Sequence, residues 1–280
     1  MKIGLISDIH VDINMIGGQE IVSDLLAAEV RRRGLDILLI AGDISSDYEL
    51  SLATVDRLVA SSGARVFFIP GNHDIWNQRH PGLLAWDTYN ALLGHLSNLA
   101  RGPILLDGNW AIVGDIGWYD FAYGDSSFTQ DDFERMQYGE RTWQDKIYSL
   151  WDRGTLEVHA MFMERLGLAL DAVKGKKIIL ATHVVQVPEF TVSPAGPMWK
   201  YFNAFLGSPD YGRLCRERGV ELAVCGHVHY RRKVKKGGTE FVCPCLGYTV
   251  EWSAPPDPAA EIAETLTVYQ LGDDGASLIQ

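Results

Sequence analysis

Five short apolar runs in this chain each end in a side chain able to bind a metal ion. Residues 3–7 lead into Asp8-Ile9-His10, residues 36–41 into Gly42-Asp43, and residues 66–70 into Gly71-Asn72-His73-Asp74. Residues 178–182 lead into His183, and residues 222–225 into Gly226-His227-Val228-His229. Runs this dense in Ile, Leu and Val read as strands buried on both faces. Helical patterns at 19–34, 47–62 and 155–173 alternate with them, which gives the β-α-β rhythm of a largely parallel sheet. In such sheets ligands bind beyond the carboxyl ends of the strands, and all five groups fall there.

Asp8, His10, Asp43, Asn72, His183, His227 and His229 therefore converge on one edge. Oxygen and imidazole donors without thiolates suit manganese, iron, zinc or cobalt. Seven side chains are too many for one catalytic ion with an open position. They suffice for two ions if one carboxylate is shared, and Asp43 is the natural bridge. Metals about 3.5–4 Å apart clamp the attacking and leaving oxygens of phosphoryl transfer. Gly42, Gly71 and Gly226 precede ligands, where glycine permits the positive φ or tight turn a bending strand tip needs.

Composition narrows the setting. Hydrophobic residues make up 47% of the 280, enough to fill one core, so residues 1–280 read as a single domain. The net charge of −11 argues against a chain that coats nucleic acid or membrane. Arg31, Arg32 and Arg33 crowd a helix end, where the dipole favours cations. Cys215, Cys225, Cys243 and Cys245 are too sparse for a disulfide framework and read as reduced, buried, strand-associated thiols. No apolar run is long enough to span a membrane, and the first residues read as a strand, so a cytoplasmic protein is expected.

After Gly226 the pattern changes. Residues 231–235, 239–245 and 265–271 look like strands without helices between them, which suggests a second, more antiparallel sheet. Pro255-Pro256-Asp257-Pro258 reads as a stiff connector. Two stretches break the rhythm and read as inserted cap or substrate loops: 118–151, aromatic and acidic, and 184–210, with Pro188, Pro194, Pro197, Pro209 and exposed-looking aromatics.

The order and spacing of Asp8-x-His10, Gly42-Asp43, Gly71-Asn72-His73-Asp74, His183 and Gly226-His227-x-His229 resemble those of the calcineurin-like metallophosphoesterase superfamily. The resemblance implies an α/β fold, a four-layer α/β/β/α sandwich with two mixed β-sheets. It implies a first metal on Asp8, His10, Asp43 and His229 and a second on Asp43, Asn72, His183 and His227, as two divalent or trivalent transition-metal ions. His73 matches the family's histidine beside the ligands, with Asp74 expected to orient it. The implied reaction is hydrolysis of a phosphodiester or small phosphomonoester by a metal-bridged hydroxide, formed because the ions lower the pKa of water to about 7. His73 then protonates the leaving alkoxide or stabilises the equatorial oxygens.

Departures refine the resemblance. Purple acid phosphatases carry Gly where this chain has His10 and a tyrosine ligand where it has Ser46. Protein Ser/Thr phosphatases continue the second motif differently and place Arg before the third, where this chain has Pro70. The pattern is closer to bacterial phosphodiesterase-like members, and residues 202–208 and 247–252 weakly resemble segments of bacterial phosphoesterases. A metal-dependent nuclease is the alternative, disfavoured by acidity. A non-catalytic interaction scaffold of the same fold has no use for His73.

Other residues carry weaker expectations. His80, His95 and His159 lie off strand tips and read as surface or helix-packing groups. Arg231, among the cations at 231–236, lies close enough to the last ligands to help hold a phosphate. Trp118 and Tyr119 open the first insertion and compete between capping a flat leaving group and packing the loop. Tyr123, Phe128, Phe133 and Tyr138 add flat surface, while Asp120, Asp125, Asp131 and Asp132 would repel a highly anionic substrate. The expected partner is therefore a small phosphorylated molecule with few charges and a large leaving group.

Overall fold

The computed structural model describes residues 1–193 and 196–279, so Pro194 lies outside the described residues. The strands form because alternate side chains meet a different apolar layer on each face. In β1 (Lys2–Ile6), β2 (Ile37–Ala41) and β3 (Arg65–Ile69), Ile3, Leu5, Ile37, Leu39, Phe67 and Ile69 enter one layer. Ile6, Leu38, Ile40, Val66 and Phe68 enter another. Next come β4 (Ile104–Leu106), β5 (Trp110–Gly114) and a small ribbon of β6 (Gln137–Tyr138) and β7 (Arg141–Thr142). They are followed by β8 (Lys177–Ala181), β9 (Val220–Val224), β10 (Arg231–Lys236) and β11 (Thr239–Pro244). The last strands are β12 (Thr267–Gly272) and β13 (Gly275–Leu278).

Two mixed sheets result, ordered β13-β12-β1-β2-β3 and β10-β11-β9-β8-β5-β4. Ile112, Ile179, Leu222 and Val242 of the second sheet join Ile3, Leu5, Ile37 and Leu39 of the first in the layer between them. Helices cover the outer faces. The chain forms α1 (Val22–Arg33), α2 (Tyr48–Ser61), α3 (Ala85–Leu93), the short α4 (Gln130–Glu134) and α5 (Asp145–Tyr148), and α6 (Thr155–Asp171). Then follow α7 (Pro197–Phe202), α8 (Pro209–Glu217) and α9 (Pro258–Thr265). α1 packs on α2 and α9, while α6 and α8 lie on β5 and β9. The α/β/β/α sandwich follows from that division. Asp47 caps α2 by accepting from Leu50 N at 3.0 Å, and Gly34 ends α1 at φ 60°.

The late strands depart from expectation. They build no sheet of their own: β11 pairs in parallel with β9, and β12 pairs antiparallel to β1, so each sheet gains two strands. The proline-rich connector also starts a helix, because Asp257 caps α9 and Pro258 takes its first position. The two insertions pack on each other. Trp118, Tyr119, Phe121 and Phe133 are buried with Tyr201, Phe202 and Phe205, so the aromatics that look exposed in sequence form a core between the insertions. All four cysteines are free and buried, although Cys215 sits in α8.

Candidate metal centre

The tips of β1, β2, β3, β8 and β9 bring the seven expected ligands together. Donor atoms of Asp8, His10, Asp43 and His229 lie within 4.8 Å of one another, as do those of Asp43, His183 and His227. Asn72 Oδ1 joins the second group, 3.0 Å from His183 Nε2 and 2.9 Å from His227 Nδ1. Asp43 belongs to both, with Oδ2 3.7 Å from His10 Nε2 and 3.3 Å from His183 Nε2.

Gly42 takes the positive φ expected of it, 88°, but most of the bending falls on other residues. The ligands themselves adopt positive φ: Asp8 54°, His10 39°, Asp43 54°, His227 74° and His229 55°. Such backbone is costly for residues with a Cβ and collects at functional sites. Gly71 and Gly226 serve close approach instead, since a Cβ there would overlap the Asp43 carboxylate or Ser7 Oγ.

Hydrogen bonds behind the ligands fix which atoms face inward. His183 Nδ1 donates to Ala41 O at 2.9 Å, His227 Nε2 to Phe205 O at 3.1 Å, and His229 Nδ1 to Glu251 Oε2 at 2.9 Å. Asn72 Nδ2 donates to Asp145 Oδ1 at 2.9 Å. His227 Nδ1 and His229 Nε2 thus face inward as lone pairs, and the inward nitrogens crowd each other: His183 Nε2 and His227 Nδ1 lie 3.2 Å apart, as do His10 Nε2 and His229 Nε2. A metal ion or a shared proton between them relieves this, and nitrogen and oxygen donors held by outer partners are how proteins present a transition-metal site.

Electrostatics agree. Burial pulls His227 down to about 3 and His10 well below the usual range, keeping both neutral and able to ligate. Burial also opposes charge on His183, but the adjacent Asp43 carboxylate outweighs it and raises His183 to about 10. Against the upward push of burial, the His183 and His73 imidazoles hold Asp43 well below the carboxylate range. A metal ion bound here would compete with the proton that this attraction favours on His183.

His73 lies over Trp76, ring centroids 3.6 Å apart, and its backbone N–H donates to Asp43 Oδ1 at 2.9 Å. Its orienting partner is Ser46, whose Oγ is 3.2 Å from His73 Nδ1, and not Asp74. The Asp74 carboxylate turns beneath the loops, where it accepts from Ile44 N, Ser45 N, Gly71 N and Ser51 Oγ. It ties the β2 and β3 tips together. Burial, reinforced by the Asp43 charge, pushes it up to about 7.

The expected substrate contacts are displaced. Trp118 and Tyr119 are both buried, because they pack the insertion onto the domain. Arg231 is engaged by Glu261 and Glu264 and does not line the cleft. The cleft beside the ligands, 490 Å³, is walled by Trp76, Trp143, Trp199, Tyr230 and Tyr248. No lysine or arginine lines it among the described residues. His80 and His95 pair with Asp47 and Asp56, and His159 is buried on α6.

One central residue escaped the sequence reading. Asp145, buried at the start of α5, accepts from Trp76 Nε1 at 2.8 Å, Trp143 Nε1 at 2.9 Å, Asn72 Nδ2 at 2.9 Å and Tyr119 OH at 3.2 Å. The insertion therefore reaches the ligands, where sequence had given it only substrate selection. Nothing in the local pattern distinguishes Asp145 from the other acids of that segment. Only the indoles at Trp76 and Trp143, donors in need of acceptors when buried, hint at it.

A two-sheet sandwich carrying paired N/O donor groups around a shared aspartate defines a metal-dependent phosphoric ester hydrolase. The calcineurin-like phosphoesterase pattern matches residues 1–231, and the chain belongs to that family. The family implies a dinuclear metal centre, for which the two groups sharing Asp43 are the fitting place. Among solved structures, the fold is similar to that of a phosphopantetheinyl hydrolase from Mycobacterium tuberculosis: TM-score 0.71 and 17% identity, covering 92% of this chain and 94% of that one. It is also similar to a dimetal phosphatase from Danio rerio: TM-score 0.57 and 15% identity, covering 99% and 96%. An uncharacterised protein, L509, from Acanthamoeba polyphaga mimivirus is 20% identical over 260 residues, 88% of this chain and 91% of its own. No helix among the described residues is long and apolar enough to cross a membrane.

Proposed function

We propose that this enzyme hydrolyses a phosphodiester or small phosphomonoester whose leaving group is large, apolar or flat and carries few charges. One observation supports this above others: the lone pairs gathered around Asp43 open into an aromatic-walled cleft that no lysine or arginine lines among the described residues. In this reading Asp8, His10, Asp43 and His229 hold one ion, and Asp43, Asn72, His183 and His227 the other. Manganese, iron, zinc and cobalt all suit these donors. Ions so held supply an activated water nucleophile and neutralise charge on the phosphate oxygens.

The chain's own residues do the rest. His73, held by Ser46 and Trp76 at the cleft wall, offers an imidazole N–H to the leaving or an equatorial oxygen. Trp143 and Trp199 offer faces for the leaving group, and the apolar walls exclude water from it. A polyphosphate or a nucleic acid finds no cation here to pair its further charges, which disfavours the nuclease alternative.

The test is a substrate panel with chelated and manganese-reloaded protein. It contains an aryl phosphodiester, a phosphopantetheinyl ester (for the mycobacterial relative), a nucleoside triphosphate and single-stranded DNA. Metal-dependent turnover should favour the first two. Preferential cleavage of the triphosphate or DNA would overturn the reading.

A further inference from the structure

We infer that Asp120, His159 and Asp210 form a separate binding site for a divalent transition-metal ion, which fastens the first insertion to α6 and α8. Asp120 follows the buried Trp118-Tyr119 pair, His159 lies within α6, and Asp210 is in the first turn of α8. Their donor atoms all lie within 4.8 Å of one another.

The histidine carries the argument. His159 is only 7% exposed, and its Nδ1 donates to Trp118 O at 2.9 Å. With that proton on Nδ1, neutral His159 presents a lone pair at Nε2, which is buried and has no hydrogen-bond partner. That lone pair faces two carboxylates, 3.9 Å from Asp120 Oδ2 and 3.6 Å from Asp210 Oδ2. Three acceptors this close repel each other unless a metal ion or a proton on Nε2 sits among them. An imidazole fixed through Nδ1 by a backbone carbonyl, with Nε2 free, is the usual presentation of a metal-binding histidine.

The carboxylates are oriented in the same way. Asp120 accepts from Ala122 N at 3.0 Å and Ser208 Oγ at 2.7 Å, and Asp210 Oδ1 pairs with Arg213 at 2.9 Å, which leaves its Oδ2 turned toward His159. One imidazole and two carboxylates leave a fourth position for water and suit zinc or manganese. Calcium, which takes six or more oxygens, does not fit a set containing imidazole.

The experiment strips full-length protein with chelator, reloads it with excess zinc, desalts it and counts zinc by elemental analysis. Asp210→Asn should hold about one zinc fewer than wild type, and His159→Gln likewise, while calcium leaves no counted ion at this site. Asp210→Asn should keep its manganese-dependent phosphodiester turnover within about twofold, whereas Asp43→Asn should lose turnover and keep this zinc. Equal zinc in wild type, Asp210→Asn and His159→Gln would overturn the proposal.

Discussion

Asn72 Nδ2 donates to Asp145 Oδ1 across 2.9 Å, so a carboxylate from the inserted segment decides which end of the Asn72 amide faces the histidines. Asp145→Asn puts an amide nitrogen where the carboxylate now meets only donors, and one of Asn72, Trp76, Trp143 or Tyr119 must lose its acceptor. The second ion should then bind about 10- to 100-fold more weakly, the usual cost of removing a partner that orients a ligand. Manganese titration of turnover measures this, and excess manganese should restore much of the rate. An unchanged titration curve would show that Asn72 orients itself.

Asp43 is shared and His227 is not. In the proposed centre, Asp43→Asn should therefore deplete both ions, and His227→Ala only one. Elemental analysis of the two variants separates them, and equal losses would contradict the bridging role.

His73→Ala should retain both ions and lose about 10²–10⁴ in turnover, the range of a lost proton-transfer group. If His73 delivers a proton, esters with poor leaving groups suffer most. If it only steadies charge, the loss is uniform. Ser46→Ala should reproduce a fraction of the same pattern, because Ser46 Oγ is the partner of His73 Nδ1.

Trp199→Ala tests the cleft wall without touching the Asp145 network. KM for the preferred ester should rise about 5- to 150-fold, roughly 1–3 kcal/mol for one stacking face, with kcat and metal content nearly unchanged. A variant that is less stable but has an unaltered KM would remove Trp199 from substrate contact.

An acid-side effect should appear far from the centre. Hydrogen bonding to Arg32 and Arg33, opposed by partial burial, lowers Glu29 from 4.5 to about 2. Because its folded value is depressed, its contribution is present above pH 4.5 and is lost as pH falls toward 2. The Tm deficit of Glu29→Gln should accordingly close across that window. A deficit that persists at pH 2 would mean the side chain acts by packing.

The strand tips were legible because a buried strand and the polar residue after it are both local signals: the runs at 36–41 and 66–70 fold within a residue of their expected bounds, as 37–41 and 65–69, and the seven expected ligands converge. The fates of β10 to β13 were not, because pairing partners such as Phe241 with Ala223 and Lys2 with Gln270 are chosen by tertiary packing. Asp74 and Asp145 failed for a related reason. Sequence shows a carboxylate but not its direction, and Asp74 turned under the loops while Asp145 turned in to the indoles. Of the two roles left open for Trp118 and Tyr119, loop packing is the one the structure shows, and their burial comes from contacts with Phe205 and Tyr211, far along the chain.

The positive φ of Asp8, His10, Asp43, His227 and His229 has an evolutionary corollary. Each costs the folded chain on the order of 1 kcal/mol that glycine would not. Asp8, His10 and Asp43 are buried, so glycine there would relieve the backbone but leave a void and unpaired donors that cost more, and a descendant released from catalysis should keep its strained tips long after its activity is gone.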